Sequence, residues 1–199
     1  MKQNKNSLNL LIVGVGGQGT LLASRVIGHL AAKRGLDVKV SEVHGMSQRG
    51  GSVVTYVKYA DEVASPLIEP GEADIIIAFE LLEAARWLNY LSRSGITIAN
   101  EQKIDPMPVI AGNEIYPEGL IQELRDRSST AVTVDALSVA MECGSVRSVN
   151  FVLLGIASTF MDFSYDEWIG CIREVTPQRA IDVNIAEFDA GMRLGEEYI

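Results

Sequence analysis

Cysteine is scarce in this sequence. The 199 residues include only Cys143 and Cys171, which lie far apart along the chain. A zinc ribbon or an iron–sulfur cluster needs several thiolates at short spacings, so this chain alone is not expected to hold either. We expect the two cysteines to be reduced, mostly buried thiols of a cytoplasmic protein.

Basic residues and long apolar runs are also few. Lys and Arg number 17 against 26 Asp and Glu, which gives a formal net charge of -9. Such a surface repels phosphate backbones, so we expect no nucleic-acid partner. No stretch approaches the roughly 18 uninterrupted apolar residues of a membrane-spanning helix. Glycines and Gln18 interrupt the first apolar run before a signal-peptide core develops. We therefore expect neither export nor membrane insertion.

The sequence contains an alternation of apolar strands and amphipathic helices. Leu8 to Val15 is a nearly continuous apolar run, typical of a strand buried on both faces, and helical spacing follows over residues 20–33. Further strands are predicted at residues 36–43, 52–60, 73–80, 95–99 and 131–135. Helices are predicted at residues 81–92, from Pro117 onward, and at 137–142, 150–160, 165–175 and 178–194. The "VIAG" segment, residues 109–112, is predicted as a loop with a short strand.

The second and third predicted strands have no crossover helix between them. The intervening segment, residues 44–51, is a loop, so the third strand is expected to run antiparallel. No repeat, low-complexity segment or linker divides the chain. The sequence predicts one domain over residues 1–199: a Rossmann-like, three-layer α/β fold with a mostly parallel sheet, an antiparallel excursion after strand two and a helical C-terminal third.

The first loop, "GVGGQG", satisfies G-x-G-x-x-G between a strand and a helix. Gly14, Gly16 and Gly19 permit a tight turn in which backbone N–H groups face an anion, and Glu42 is placed as the acidic partner of a ribose. Two features count against binding of NAD(P) or FAD. The βα unit that would hold the adenosine is replaced by the loop and strand of residues 44–60, and the bulky Gln18 lies where the pyrophosphate would pass. Close packing of helix on strand explains the glycines equally well.

The second loop, "EVHGMSQRGGSV", is dense in polar groups framed by glycines. An Arg fork at Arg49 suits a carboxylate, a phosphate or a partner's backbone. Each residue also has a structural explanation: Glu42 and Arg49 can pair with each other, and His44 can be a hydrogen-bonded loop residue.

Taken together, these motifs resemble a known family. "GVGGQG", "SEVHGMSQRGGSVVTYV", "ADIIIAFELLEAARWL", "NFVLLGIAS" and "VNIAEFDAGMRLG" are similar to the gamma-type subunit or domain of 2-oxoacid:ferredoxin oxidoreductases, over about residues 9–195. The indolepyruvate branch is the nearest. The pyruvate, ketoisovalerate and 2-oxoglutarate branches share the same skeleton.

The resemblance implies a role in CoA-dependent oxidative decarboxylation of a 2-oxoacid, with ferredoxin as electron acceptor. It also implies a large alpha subunit carrying thiamine diphosphate, Mg2+ and [4Fe-4S] clusters, none of them bound by this chain alone, which would be inactive by itself. In related enzymes this region shapes access for coenzyme A. By resemblance, the cofactor-binding candidates are Gly16, Gly17, Gln18, Gly19, Ser47, Gln48 and Arg49; no catalytic residue and no metal ligand is assigned.

The residues alone are also compatible with two other functions. One is a free-standing module that holds a nucleotide on the glycine loop. The other is a structural partner whose loops only contact the large subunit. The charges at Glu80 and Glu83 are expected to complement a helix dipole rather than to bind a partner, while Asn150 and Gly155 are expected to start a helix and to permit a close helix contact.

Overall fold

The computed structural model describes residues 7–45, 50–145 and 149–199. Its described residues form a six-stranded sheet in the order β2-β3-β1-β4-β5-β6. The strands are β1 (Leu8–Val15), β2 (Asp37–His44), β3 (Ser52–Ala60), β4 (Ala73–Ala78), β5 (Leu91–Asn100) and β6 (Thr130–Val134). The mostly parallel sheet predicted from the sequence is confirmed.

The antiparallel excursion is also confirmed, and its strand β3 lies inside the sheet, next to the edge strand β2. β3 pairs antiparallel with β1 on one side and with β2 on the other, whereas β1, β4, β5 and β6 pair in parallel. β2 therefore runs in the same direction as β1. Five strands end at one edge of the sheet, called here the carboxyl edge, and the opposite edge is the amino edge.

Helices cover the two faces of the sheet unequally. One face packs against α1 (Thr20–Lys33), α5 (Ala136–Glu142), α6 (Asn150–Ser158), α7 (Tyr165–Val175) and α8 (Ile181–Glu196). The other packs against α2 (Leu81–Arg86) and α4 (Leu120–Arg127). Because β1 is covered on both sides, its residues alternate between the two cores, which is why it reads as an uninterrupted apolar run.

The helical C-terminal third is built on one close helix crossing. α6 is entirely buried and is apolar except for Asn150 at its start and Ser158 at its end, and it packs along α8. Gly155 of α6 lies so close to α8 that a Cβ there would be 2.1 Å from the carbonyl oxygen of Phe188, and a Cβ on Gly191 would be 2.0 Å from the carbonyl oxygen of Val152. The helix start at Asn150 and the close contact at Gly155 are both confirmed.

Several predicted boundaries are wrong. The helix predicted over residues 81–92 ends at Arg86 and is followed by a 3-10 turn, Leu88–Tyr90, and by β5 from Leu91. The "VIAG" segment holds no strand; Met107–Ile110 is a single helical turn, α3. The helix expected to open at Pro117 begins at Leu120, and the helix predicted from Gln178 begins at Ile181 after a 3-10 turn. The strand predicted over residues 95–99 begins four residues earlier, at Leu91. The remaining boundaries agree within two residues.

Candidate functional site at the carboxyl edge

The glycine loop joins β1 to α1 at the carboxyl edge. Gly17 and Gly19 adopt φ values of 103° and 84°, which L side chains rarely adopt, so the loop's path requires glycine at both positions. The first turn of α1 carries no acidic residue. Its N–H groups lack acceptors within the helix and, together with the helix dipole, favour an anion.

The two sequence loops meet at this edge. The Gly16 N–H donates to the carbonyl oxygen of Gly51 at 2.9 Å, which joins the glycine loop to the segment that enters β3. Gly45, at the other end of the second loop, donates to Ser52 at 3.2 Å. The first of these hydrogen bonds ties Gly51 to the glycine loop, and the second pairs Gly45 with Ser52 across the base of the second loop.

Gln18 has its amide turned into the protein. Its Oε1 accepts from the Val15 N–H at 2.7 Å, and its Nε2 donates to the Phe79 carbonyl at 3.0 Å and to Gln102 Oε1 at 3.1 Å. This side chain therefore ties the loop after β1 to the loops after β4 and β5. Gly14 makes room for it, since a Cβ there would lie 2.7 Å from Gln18 Oε1.

An open cleft of about 640 Å³ lies between the ends of β1 and β2. Glu42 and His44 form one side of it: His44 Nε2 lies 2.9 Å from Glu42 Oε1, and Thr55 donates to Glu42 Oε2 at 3.0 Å. The described lining residues are Gly16, Gly17, Gly19, Thr20, Leu21, Glu42, His44, Gly45 and Val53. The cleft thus combines a glycine backbone with one carboxylate and one imidazole.

Glu80 and Glu83 stand at the start of α2. Glu80 is the N-cap of that helix and accepts from the Glu83 N–H at 2.8 Å, in agreement with the helix-dipole interpretation. Its other oxygen accepts from the Tyr116 hydroxyl at 2.6 Å and from the Ile104 N–H at 3.1 Å. Burial, followed by the hydrogen bond to Glu80, raises the pKa of Tyr116 above its usual value. Glu83 pairs with Arg86 at 2.6 Å.

A second buried amide supports the same edge. Asn100 Nδ2 donates to the Phe79 carbonyl at 3.2 Å and to Gln102 Oε1 at 3.4 Å, and its Oδ1 accepts from the Ala136 N–H at 3.1 Å. Gln18, Gln102 and Asn100 therefore link the ends of β1, β4, β5 and β6. Asn100 and Gln102 were not predicted as part of the site, because nothing in their local sequence indicates partners that lie far away along the chain.

The structure brings together four of the seven sequence-predicted site residues. Gly16, Gly17 and Gly19 line the cleft, while Gln18 lies beside them without lining it. Ser47, Gln48 and Arg49 lie outside the described residues, as does any pairing of Arg49 with Glu42. Within the described residues, the partners of Glu42 are His44 and Thr55.

The described residues contain neither a cluster of metal ligands nor a membrane-spanning helix. In residues 7–45, 50–145 and 149–199, no group of three or more His, Cys, Asp or Glu side chains could hold a metal ion. Over those ranges no helix combines the length and apolarity needed to cross a membrane. Cys143 and Cys171 are free thiols, the second of them buried.

The fold and the site together define a three-layer α/β domain with a glycine loop and an open cleft at its carboxyl edge. A model of the pyruvate ferredoxin/flavodoxin oxidoreductase family matches residues 9–194, and the chain belongs to this family. Within the family it is a gamma-type subunit of a 2-oxoacid:ferredoxin oxidoreductase, a component of an enzyme complex.

Three similar proteins illustrate the relationship. Indolepyruvate oxidoreductase subunit IorB of Pyrococcus horikoshii is 38% identical over 96% of this chain and 97% of that protein. The pyruvate/ketoisovalerate oxidoreductases common subunit gamma of Thermococcus kodakarensis is 24% identical over 71% of each. The solved 2-oxoglutarate:ferredoxin oxidoreductase of Magnetococcus marinus, with 2-oxoglutarate, coenzyme A and succinyl-CoA bound, has a TM-score of 0.74 at 19% identity. The match covers 98% of this chain and 32% of that one.

Proposed function

We propose that this chain is the thiamine-free and cluster-free subunit of an indolepyruvate:ferredoxin oxidoreductase. The complex would convert indolepyruvate, or a related aryl pyruvate, and coenzyme A to the acyl-CoA and carbon dioxide, with ferredoxin taking the electrons. The higher identity to an indolepyruvate subunit than to a pyruvate/ketoisovalerate subunit supports this choice. The alternative is the same role with pyruvate, ketoisovalerate or 2-oxoglutarate as substrate.

The role of this chain would be to complete the coenzyme A site. The observation that carries this proposal is the hydrogen bond from Gly16 to Gly51, because it joins the last residue of the second loop to the glycine loop that lines an open cleft. The glycine backbone and the start of α1 favour a phosphate group of the coenzyme. Ser47, Gln48 and Arg49 would supply polar contacts from the second loop.

Gln18 enters this proposal as a positioning residue. Its amide groups bind Val15, Phe79 and Gln102, so they hold the loop in shape instead of reaching into the cleft. The anion contacts fall to Gly16, Gly17 and Gly19. Thiamine diphosphate, Mg2+ and the clusters would reside on the large alpha subunit and supply the electron sink and the electron path.

Anaerobic activity of the reconstituted pair tests the function. Ferredoxin reduction that requires indolepyruvate and coenzyme A is expected with the chain and its large subunit together, and not with either alone. If kcat/KM is higher for pyruvate, ketoisovalerate or 2-oxoglutarate than for indolepyruvate, the complex belongs to the branch that uses that substrate. Tight binding of a nucleotide by the chain alone, with no activity in the pair, would instead identify a free-standing binding module.

The first prediction concerns Arg49. Replacement Arg49→Ala removes a guanidinium that can bind a phosphate bidentately, so the KM for coenzyme A is expected to rise about tenfold or more with little change in the KM for indolepyruvate. Steady-state kinetics of the pair measure both constants. Arg93→Ala, an exposed arginine at the amino edge, is the matched control. Loss of assembly in Arg49→Ala would show a structural contact with the partner in place of a coenzyme site.

A further inference from the structure

The segment after β5 exposes a group of large apolar side chains. Met107, Ile110 and Ile115 have 69%, 66% and 89% of their surfaces accessible to solvent. None of them packs into either hydrophobic core. Met107 and Ile110 are three residues apart in α3 and so lie on one side of that turn.

This exposed segment is nonetheless well ordered internally. Ala111 donates to Met107 at 2.9 Å, and Asn113 and Glu114 donate to Pro108 at 2.9 and 3.2 Å, which folds the chain back over α3. Apolar residues on a surface loop would gain contacts by turning inward, and these hydrogen bonds hold them outward.

A buried carboxylate closes the base of the segment. Glu80 is 1% exposed, and the same oxygen accepts from the Ile104 N–H at 3.1 Å and from the Tyr116 hydroxyl at 2.6 Å. Both ends of residues 104–116 are thus fixed to one atom, as in a compact Ω-loop. Burying a carboxylate and ordering this loop both cost free energy. Met107, Ile110 and Ile115 belong to neither hydrophobic core, so their burial does not offset this free-energy cost within this chain.

The charges around the loop restrict what can cover it. Glu101, Asp105, Glu114 and Glu118 are exposed, and the nearby Lys103 stacks over the Tyr116 ring at 5.7 Å. The rim is therefore acidic, and a partner must offer apolar residues flanked by lysine or arginine. A second copy of this chain, with net charge -9, would bring like charge to the contact.

The loop adjoins the candidate site. Gln102, two residues before Ile104, accepts a hydrogen bond from Gln18 of the glycine loop at 3.1 Å. A partner that covers Met107 and Ile110 would therefore lie at the same carboxyl edge as the cleft.

We propose that residues 105–115 form a docking loop that binds an apolar, basic-rimmed surface of the large subunit and thereby seats that subunit over the glycine loop. This inference rests on the proposed function for the identity of the partner. The loop acts as a preformed anchor: Glu80 and Tyr116 fix its base, and Met107, Ile110 and Ile115 enter the partner's surface.

The test is assembly with the large subunit, measured by native mass spectrometry and by sedimentation with purified components. The double substitution Ile110→Ser and Ile115→Ser should weaken assembly about tenfold or more, because buried apolar anchors dominate such interfaces. Leu67→Ser, a 52% exposed leucine in the loop before β4 at the amino edge, is the matched control and should assemble as the wild type does. Circular dichroism of each free variant should match the wild type.

A charge reversal tests the basic rim independently. Glu114→Lys should weaken assembly, more strongly at low than at high salt, whereas Glu62→Lys at the amino edge should not. Assembly of both loop variants at wild-type affinity would overturn the docking loop while leaving the proposed function intact. Failure of the wild-type chain to assemble with the large subunit would overturn both. A wild-type homodimer abolished by Ile110→Ser and Ile115→Ser would assign the loop to a second copy and overturn the choice of partner.

Discussion

At the scale of single residues, the glycines of this chain serve two different purposes. Gly17 and Gly19 supply backbone angles that shape the first loop, whereas Gly155 and Gly191 supply the absence of a side chain where α6 crosses α8. The G-x-G-x-x-G motif specifies Gly19 but not Gly17, and it includes neither Gly155 nor Gly191. Gly19 also has a packing role, since a Cβ there would lie 3.0 Å from Asn150 Nδ2.

Substitution of Gly155 tests the close crossing of α6 and α8. Gly155→Ala would place a Cβ 2.1 Å from the Phe188 carbonyl oxygen, which forces the two helices apart. A loss of about 3 kcal/mol in the free energy of unfolding is expected, measured by urea denaturation. Gly170→Ala in α7 is the control, because nothing lies within 4 Å of its Cβ position. It should stabilise the chain by up to about 1 kcal/mol. Equal effects of the two substitutions would contradict the close crossing.

At the scale of elements, long-range contacts decide where helices end. The apolar spacing after β4 continues past Arg86, yet the chain turns at residues 88–90 and enters β5 as an extended strand beside β4. Apolar residues in such a short run suit a helix and a buried strand equally well, so periodicity alone cannot distinguish them. Leu91 joins β5 because it pairs with Ala73 across the sheet.

A substitution at Tyr116 tests how the base of the docking loop is held. Tyr116→Phe removes the hydroxyl that donates to Glu80 and accepts from the Leu82 N–H at 3.1 Å. Amide hydrogen exchange over residues 104–116 is expected to become about tenfold faster, since one of two ties at the loop base is lost. Tyr165→Phe, which breaks a comparable bond to Asp189 at 3.0 Å elsewhere, should leave this loop unchanged. Unaltered exchange in Tyr116→Phe would show that Glu80 holds the loop through Ile104 alone.

At the scale of the whole molecule, a carboxyl group in the helical layer couples stability to pH. Glu187 of α8 is fully buried, and burial raises its pKa from 4.5 to about 7, with the Ser145 hydroxyl offsetting part of the shift. The folded chain therefore holds this proton more tightly than the unfolded chain does. The contribution of Glu187 protonation to the free energy of unfolding is fully present below pH 4.5 and is lost as the pH rises toward 7.

Glu187→Gln tests this coupling, because glutamine stays neutral at every pH. The variant should exceed the wild type in free energy of unfolding by up to about 3 kcal/mol above pH 7, and the difference should shrink toward pH 5. Urea denaturation at several pH values measures it. Glu123→Gln, at an exposed position on α4, should show no such trend. A difference independent of pH would mean that size or packing, rather than ionisation, governs this position.

The sequence by itself determined the order of strands and helices, the antiparallel excursion and the family. These follow from local signals: the buried strand β1 reads as an apolar run, the glycines of the first loop mark a turn, and a loop of seven residues between β2 and β3 is too short for a crossover helix. The sequence also predicted that the loops after β1 and β2 lie at one edge of the sheet, because both follow the carboxyl ends of their strands.

Only the tertiary structure decided how the polar groups are used. Gln18 looked like a ligand contact, yet its amide is bound by Phe79 and Gln102. The sequence predicted Glu80 as a charge that complements a helix dipole, and the structure shows that it also holds the base of a loop at Tyr116. In each case the partners lie tens of residues away, and hydrogen bonds between distant residues leave no periodic trace in a single sequence. Folding brings such groups together, and their chemistry is then set by what lies within about 3 Å.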